Sequence, residues 1–272
     1  MSERPLLRTQ HLQKYFPLKK KSIFQRKIEY VKANKDISLD IFEGETLGLV
    51  GESGCGKSTF GRTLIQLYEQ TGGVSLYYGE TIEELMPQYV GETYRQIPKR
   101  FKNYDNDLEK LQQLKLEVDQ LDDSVHPKVE EYRLLKSSFE AKYGNILRLA
   151  GGLLVSEDLN QVEKLLSKQY LSGSEVAKIQ KKIDFEKHRL SLKQQKEITS
   201  TKIEQLSSEL EVKQKELAEI KSEVESFKNQ LRSHPRFEEF ETQKDDGIDL
   251  SSLTSEEMRK LRSDLQIIYQ DP

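Results

Sequence analysis

The chain has a single cysteine and no tryptophan in 272 residues. One thiol excludes an intrachain disulfide framework, and no His/Cys cluster has metal-ligand spacing. Apolar residues are scarce: 35% are hydrophobic and 33% charged, with a mean hydropathy of −0.73. No run approaches the roughly 18 apolar residues of a membrane span. The start, Met1-Ser2-Glu3-Arg4-Pro5, lacks the apolar centre of a secretion signal. The expectation is a cytosolic chain, and any membrane role would have to come through partners. The net charge is only −3, which gives no reason to propose general nucleic-acid binding. The length allows one or two domains. One compact globule this polar is unusual, and a small globular part with a long solvated helical part fits better.

What is present is concentrated in nine residues, Gly51-Glu52-Ser53-Gly54-Cys55-Gly56-Lys57-Ser58-Thr59. They fit the phosphate-binding pattern G-x-x-x-x-G-K-[ST], which requires a strand before it and a helix after it. Glu45-Thr46-Leu47-Gly48-Leu49-Val50 reads as a short buried strand. Ser58 to Gln70 reads as a helix with Phe60, Leu64, Ile65 and Leu67 apolar, ended by Thr71-Gly72-Gly73. The glycines let successive N–H groups turn inward as an anion nest, and the helix start adds partial positive charge. Lys57 then reaches the β- and γ-phosphates, and the Ser58 hydroxyl takes a Mg²⁺ position. Cys55 reads as a small tolerated residue rather than a nucleophile, because no His accompanies it.

The remaining pattern divides the chain. Leu6 to Tyr15 and Val74 to Tyr78 read as strands, and Ile37 to Phe42 alternates like a half-buried one. Between them Lys19, Lys20, Lys21, Arg26 and Lys27 make a solvated basic loop. From about Asp105 to Ser233 the sequence is rich in Lys, Glu, Gln and Leu. Leu111, Leu114, Val118, Leu121 and Val125 follow heptad spacing. So do Ile203, Leu206, Leu210, Lys213, Leu217, Ile220, Val224, Phe227 and Leu231. Repeated heptads argue for coiled coil. As one helix, Ser174 to Ser233 would reach roughly 90 Å. Gly151-Gly152, Ser156-Glu157-Asp158 and Ser172-Gly173-Ser174 read as turns and caps, and Asp123 to Pro127 as a break. The expected architecture is a helix that leaves the globule, turns and returns antiparallel as a self-paired hairpin, with a dimerising coil as the alternative. Near Lys244 the globular pattern resumes, with a short capped helix from Ser255 to Lys260 and a buried strand at Leu265-Gln266-Ile267-Ile268-Tyr269.

The stretch from Ile41 to Thr59 resembles ATP-binding-cassette (ABC) transporter ATPases, and more narrowly the oligopeptide/dipeptide importer subgroup. Lys14-Tyr15-Phe16-Pro17, Gly61-Arg62-Thr63-Leu64 and Leu253 to Arg262 are similar to that subgroup, and Leu265 to Pro272 looks like the family's Q-loop strand. The resemblance covers residues 5–80 and 247–272. It implies an α/β fold, the N-terminal part of a P-loop NTPase of the ABC cassette type. Residues 1–80 and 247–272 would belong to it, interrupted by a coiled-coil insertion at 81–246. It implies ATP and Mg²⁺ as ligands, Gly51 to Thr59 as Walker A, and Lys57 and Gln270 as catalytic. Ser58 and Gln270 would ligate the metal, and Phe16 would stack on adenine, with Tyr15 as the alternative. The implied partners are a second ABC ATPase subunit, transmembrane permease subunits and, indirectly, an extracellular peptide-binding protein, with no nucleic acid. The implied place is the cytoplasmic face of the membrane. The signature loop, the Walker B acidic pair and the switch histidine follow the Q-loop in the family and do not occur here. The expectation is therefore a truncated front part, inactive on its own. Leu171-Ser172-Gly173-Ser174 is only superficially like the signature loop. Two other classes compete: a chromosome-maintenance or DNA-repair ATPase with coiled coil, and a non-catalytic interaction fragment. In the former the coil follows the Q-loop glutamine, whereas here Gln270 follows the coil.

Overall fold

The computed structural model describes residues 4–18, 29–121, 126–192 and 197–268, with side chains at all of these except 192 and 197–200. In chain order the elements are β1 (Leu7–Pro17), β2 (Tyr30–Ile41), α1 (Lys57–Leu64), β3 (Gly72–Tyr77), α2 (Ile82–Leu85), α3 (Gln88–Arg100) and α4 (Tyr104–Asp119). There follow α5 (Pro127–Ala150), α6 (Leu159–Leu192), α7 (Glu197–Leu231), α8 (Phe237–Glu241), β4 (Ile248–Asp249) and α9 (Ser255–Leu261). They fall into two compact units, one within residues 1–88 and 247–272, the other within 89–246. No helix among the described residues is long and apolar enough to cross a membrane.

The first unit is built on an antiparallel sheet of order β2-β1-β3-β4. β1 runs from Leu7 opposite Ile41 to Pro17 opposite Tyr30. Its buried side chains Leu7, Leu12 and Tyr15 join Leu76 and Tyr77 of β3 and Phe60 and Leu64 of α1 in the core. At the register pair Arg8–Asp40 the guanidinium donates two bonds to the carboxylate, at 2.7 and 2.9 Å. The planar fork suits a carboxylate bidentately. α9 opens on a capping box, in which Thr254 and Glu257 satisfy each other's backbone N–H groups. Glu257 also accepts the N–H of Gln88 at 2.7 Å.

Three local expectations are corrected here. Helix α1 stops at Leu64, not Gln70. Gln66 adopts φ +55°, and the N–H groups of Gln66 and Leu67 return to Thr63 O and Arg62 O. This is a Schellman stop with glutamine in place of the usual glycine. Glu45 to Val50 forms no strand, and Leu47, Leu49 and Val50 are exposed, Val50 at 95%. Leu265 to Ile268 is likewise irregular, with Ile268 at 96% exposure, and Tyr269 lies outside the described residues. An apolar run states what a segment must bury, but a strand exists only where a neighbour accepts its backbone bonds. Among the described residues none does so for these two segments.

The second unit is helical. α4 packs on α5, tied by Lys142 to Asp107 at 2.7 Å and Lys128 to Glu117 at 2.9 Å. Tyr104, Tyr143 and Phe240 form its aromatic centre, all under 5% exposed. α6 packs on α7, and the ion pairs Lys168–Glu223, Glu175–Lys213 and Glu186–Lys202 descend one helix as they climb the other, so the two run antiparallel. Ile220 and Val224 are buried in that seam. Lys213, the one lysine of the heptad run, reaches Glu175 and Glu216 at its rim.

The pairing therefore differs from the single hairpin expected from sequence. The returning arm from Ile203 pairs with α6, and the arm from Leu111 pairs with α5. Ser174 to Ser233 is not one helix, since α6 and α7 pack side by side and run antiparallel. Ser172-Gly173-Ser174 is not a cap. It lies inside α6, and Ser174 Oγ donates to Tyr170 O at 2.8 Å. The true start of α6 is Asp158, whose carboxylate accepts the N–H groups of Asn160 and Gln161.

Candidate nucleotide-binding site

The loop from Gly51 to Gly56 joins an irregular segment to α1. Gly54 and Gly56 sit at φ +81° and +98°, in the left-handed region. Gly56 has a second reason to be glycine. A Cβ there would lie 2.4 Å from Ala33 O and 3.0 Å from Asn34 Nδ2 on β2. The loop is thus pressed against the sheet, with no room for a side chain between.

Lys57 Nζ turns back over the loop, donating to Gly51 O and Glu52 O at 2.7 Å each and lying 3.5 Å from Cys55 Sγ. It is a cation centred on a ring of backbone. Phe60 N donates to Gly56 O at 2.8 Å, which starts α1, and Thr63 Oγ1 donates to Thr59 O at 2.8 Å. Phe60 and Thr63 are buried and anchor the helix, while Glu52, Ser53, Gly54, Cys55 and Ser58 are exposed. The arrangement puts a helix start and an ammonium group at one accessible place, which is chemistry suited to an anion.

Asn34 was not singled out by sequence. It is 4% exposed, and its Nδ2 donates to Gly56 O at 3.2 Å. Its Oδ1 has no partner among the described residues. A buried amide oxygen left unpaired costs stability, so the residue spends fold energy at the point where the sheet meets the phosphate loop. The sequence carried no signal for it, because Asn34 precedes the alternating run read at Ile37 to Phe42.

Of the two aromatics considered, Tyr15 is buried at 5% exposure, and its N–H donates to Thr71 Oγ1 at 3.1 Å. Phe16, one residue on, points to the other face and is half-buried. Its ring meets Tyr68 edge-on at 5.6 Å, and Lys14 Nζ lies 4.8 Å above it. Tyr68 OH accepts from Arg62 Nη1 of α1 at 3.1 Å. Gln270 lies outside the described residues, as do Lys19 to Lys27.

Among curated proteins, the chain is similar to the oligopeptide transport ATP-binding protein AppF of Bacillus subtilis strain 168, at 44% identity over 35% of this chain and 28% of that protein. It is 51% identical to OppF of the same organism over 28% of the chain and 23% of that protein. It is 45% identical to the glutathione import ATP-binding protein GsiA of Escherichia coli strain K12 over 30% of the chain and 13% of that protein. The chain spans less than a third of the length of these relatives. No solved structure matches it. The chromosome-maintenance alternative finds no support in these likenesses. The ABC transporter family model matches residues 34–272, most of the chain, and the chain belongs to that family.

Proposed function

We propose that the chain is part of the ATP-binding, energy-coupling subunit of a peptide importer. The observation that carries this reading is the loop at 51–59, with Lys57 centred on its carbonyls and Gly56 seated on β2, in a chain of the ABC transporter family. In this reading the loop N–H groups and Lys57 hold the β- and γ-phosphates, and Phe16 stacks on the base. The half-exposed ring of Phe16, against the buried Tyr15, favours Phe16 for that role.

Magnesium takes hard oxygen ligands and keeps several waters. The exposed Ser58 at the start of α1 fits that donor class, and Gln270 is the second ligand proposed. Among the described residues no group of three His, Cys, Asp or Glu stands together, which suits an ion held mainly by phosphate and water. When bound, the ion neutralises phosphate charge. The residues of this chain bind and orient the nucleotide around it.

The partners in this reading are a second ATPase subunit, membrane permeases and, through them, a peptide-binding protein, at the cytoplasmic face of the membrane. Residues 81–246 are an antiparallel coiled-coil insertion between the two cassette stretches 1–80 and 247–272. Deleting the encoding gene and measuring uptake of a labelled oligopeptide tests the importer reading. Uptake should fall and return with the wild-type gene but not with Lys57→Ala. Undiminished uptake of every peptide class tried would overturn it.

A further inference from the structure

One face of α6 is cationic. Lys178, Lys181, Lys182, Phe185, His188 and Arg189 recur at helical spacing, and all six are exposed. At 3.6 residues per turn they lie within about 60° either side of Phe185. Asp184 and Glu186 fall outside that arc. Glu186 is 4% exposed and charge-compensated, with Lys202 on one oxygen and Arg189 3.0 Å from the other. Lys202 of α7 lines the groove beside Lys181, Lys182 and Phe185 together with the Glu186 it neutralises, so the net positive charge lies on α6.

Two further observations separate this face from an ordinary solvated one. Phe185 is 65% exposed in the middle of the cations, although Ile179 and Ile183 already fill the seam with α7. The charge is also concentrated on one helix. Residues 178–192 of α6 carry five Lys or Arg and two Asp or Glu, so a basic stretch surrounds the protruding aromatic ring.

We propose that this face of α6 docks on an anionic membrane surface. Lipid phosphates accept from the lysines, and the Phe185 ring enters the apolar boundary beneath them. A nucleic-acid strand is the less suited occupant. Strand binding without sequence preference uses several aromatics as stacking platforms, and this arc has one. The proximity of a membrane rests on the transporter reading given above.

The test is sedimentation of the full chain with phosphatidylcholine vesicles, with and without phosphatidylglycerol, in the absence of nucleotide. Binding should need phosphatidylglycerol and vanish in about 1 M salt, where the Debye length is about 3 Å. Each lysine near an anionic surface contributes roughly fivefold. Lys178→Gln/Lys181→Gln/Lys182→Gln should therefore weaken binding by about 100-fold with the helical circular dichroism unchanged. Phe185→Ser should weaken it severalfold while leaving the salt dependence in place. Equal binding to neutral vesicles, or full binding by the triple variant, overturns the proposal. So does tighter binding of an oligonucleotide at the same salt, which would assign the face to nucleic acid. Vesicle binding that fails while ATP still binds removes this inference alone. ATP binding that fails while vesicles still bind removes the transporter reading alone.

Discussion

Asn34→Asp changes one buried donor into an acceptor with almost no change of shape. The side chain is 4% exposed, its Nδ2 holds Gly56 O at 3.2 Å, and its Oδ1 has no partner among the described residues. The substitution removes a hydrogen bond worth about 1 kcal/mol and turns a carboxylate against a carbonyl oxygen. An uncompensated buried charge costs about 3–5 kcal/mol. The group escapes part of that by staying protonated, so its folded pKa rises above the unfolded value of about 3.9. The extra penalty is absent below the unfolded pKa, grows as pH rises toward the folded pKa, and is constant above it. At pH 7 the loss should be about 3 kcal/mol, shrinking toward about 1 kcal/mol near pH 4. Asn34→Ala is the control. It removes the bond and the orphaned oxygen together, so its opposing terms leave a pH-independent change of about 1 kcal/mol or less. Urea unfolding of both variants from pH 4 to pH 8 measures this. Equal stability of the two across the range would refute the account of how the sheet holds the loop.

Three other outcomes follow from named contacts. Gly152→Ala would place a Cβ 2.5 Å from the ring of Phe237, which is 1% exposed, and should cost about 1–3 kcal/mol in urea unfolding of the helical signal. Phe16→Ala should weaken ATP about tenfold by loss of stacking while leaving inorganic triphosphate affinity unchanged, as read by calorimetry. The Lys142 and Tyr143 hydrogen bonds hold the Asp107 carboxyl below its ordinary range. That depressed pKa contributes stability at neutral pH that is lost as pH falls below about 4, on the order of 1 kcal/mol. Asp107→Asn should flatten this part of the acid-unfolding curve.

The legible parts of the sequence were those set by short-range chemistry. The left-handed glycines, Lys57 and the Thr254–Glu257 capping box all act within a few residues, and each could be read from spacing. Strands β1 and β3 were read near their observed bounds, whereas of β2 only the alternating end from Ile37 was read and its first half from Tyr30 was not. The run Glu45 to Val50 misled because its apolar pattern records a requirement, not a neighbour. The helical pairing was missed for a related reason. The α7 seam is a heptad broken only by Lys213, but its partner α6 presents Gly173 and Ser174 where a heptad needs large apolar residues, so α6 did not announce itself. Asn34 was illegible because a polar residue in a strand becomes informative only once its burial and its contact with Gly56 are known. The Gln66 stop of α1 departs from the glycine usual at that place, so the sequence carried no signal for it.

The central claim is that residues 51–59 bind the phosphates of a nucleotide around Lys57. Calorimetric titration of the full chain with MgATP, alongside Lys57→Ala, tests it most directly. The account predicts saturable heat for the wild type, competed by inorganic triphosphate, and at least a tenfold loss of affinity in the variant, which corresponds to about 1.4 kcal/mol or more. Equal affinity of wild type and Lys57→Ala for MgATP would contradict it.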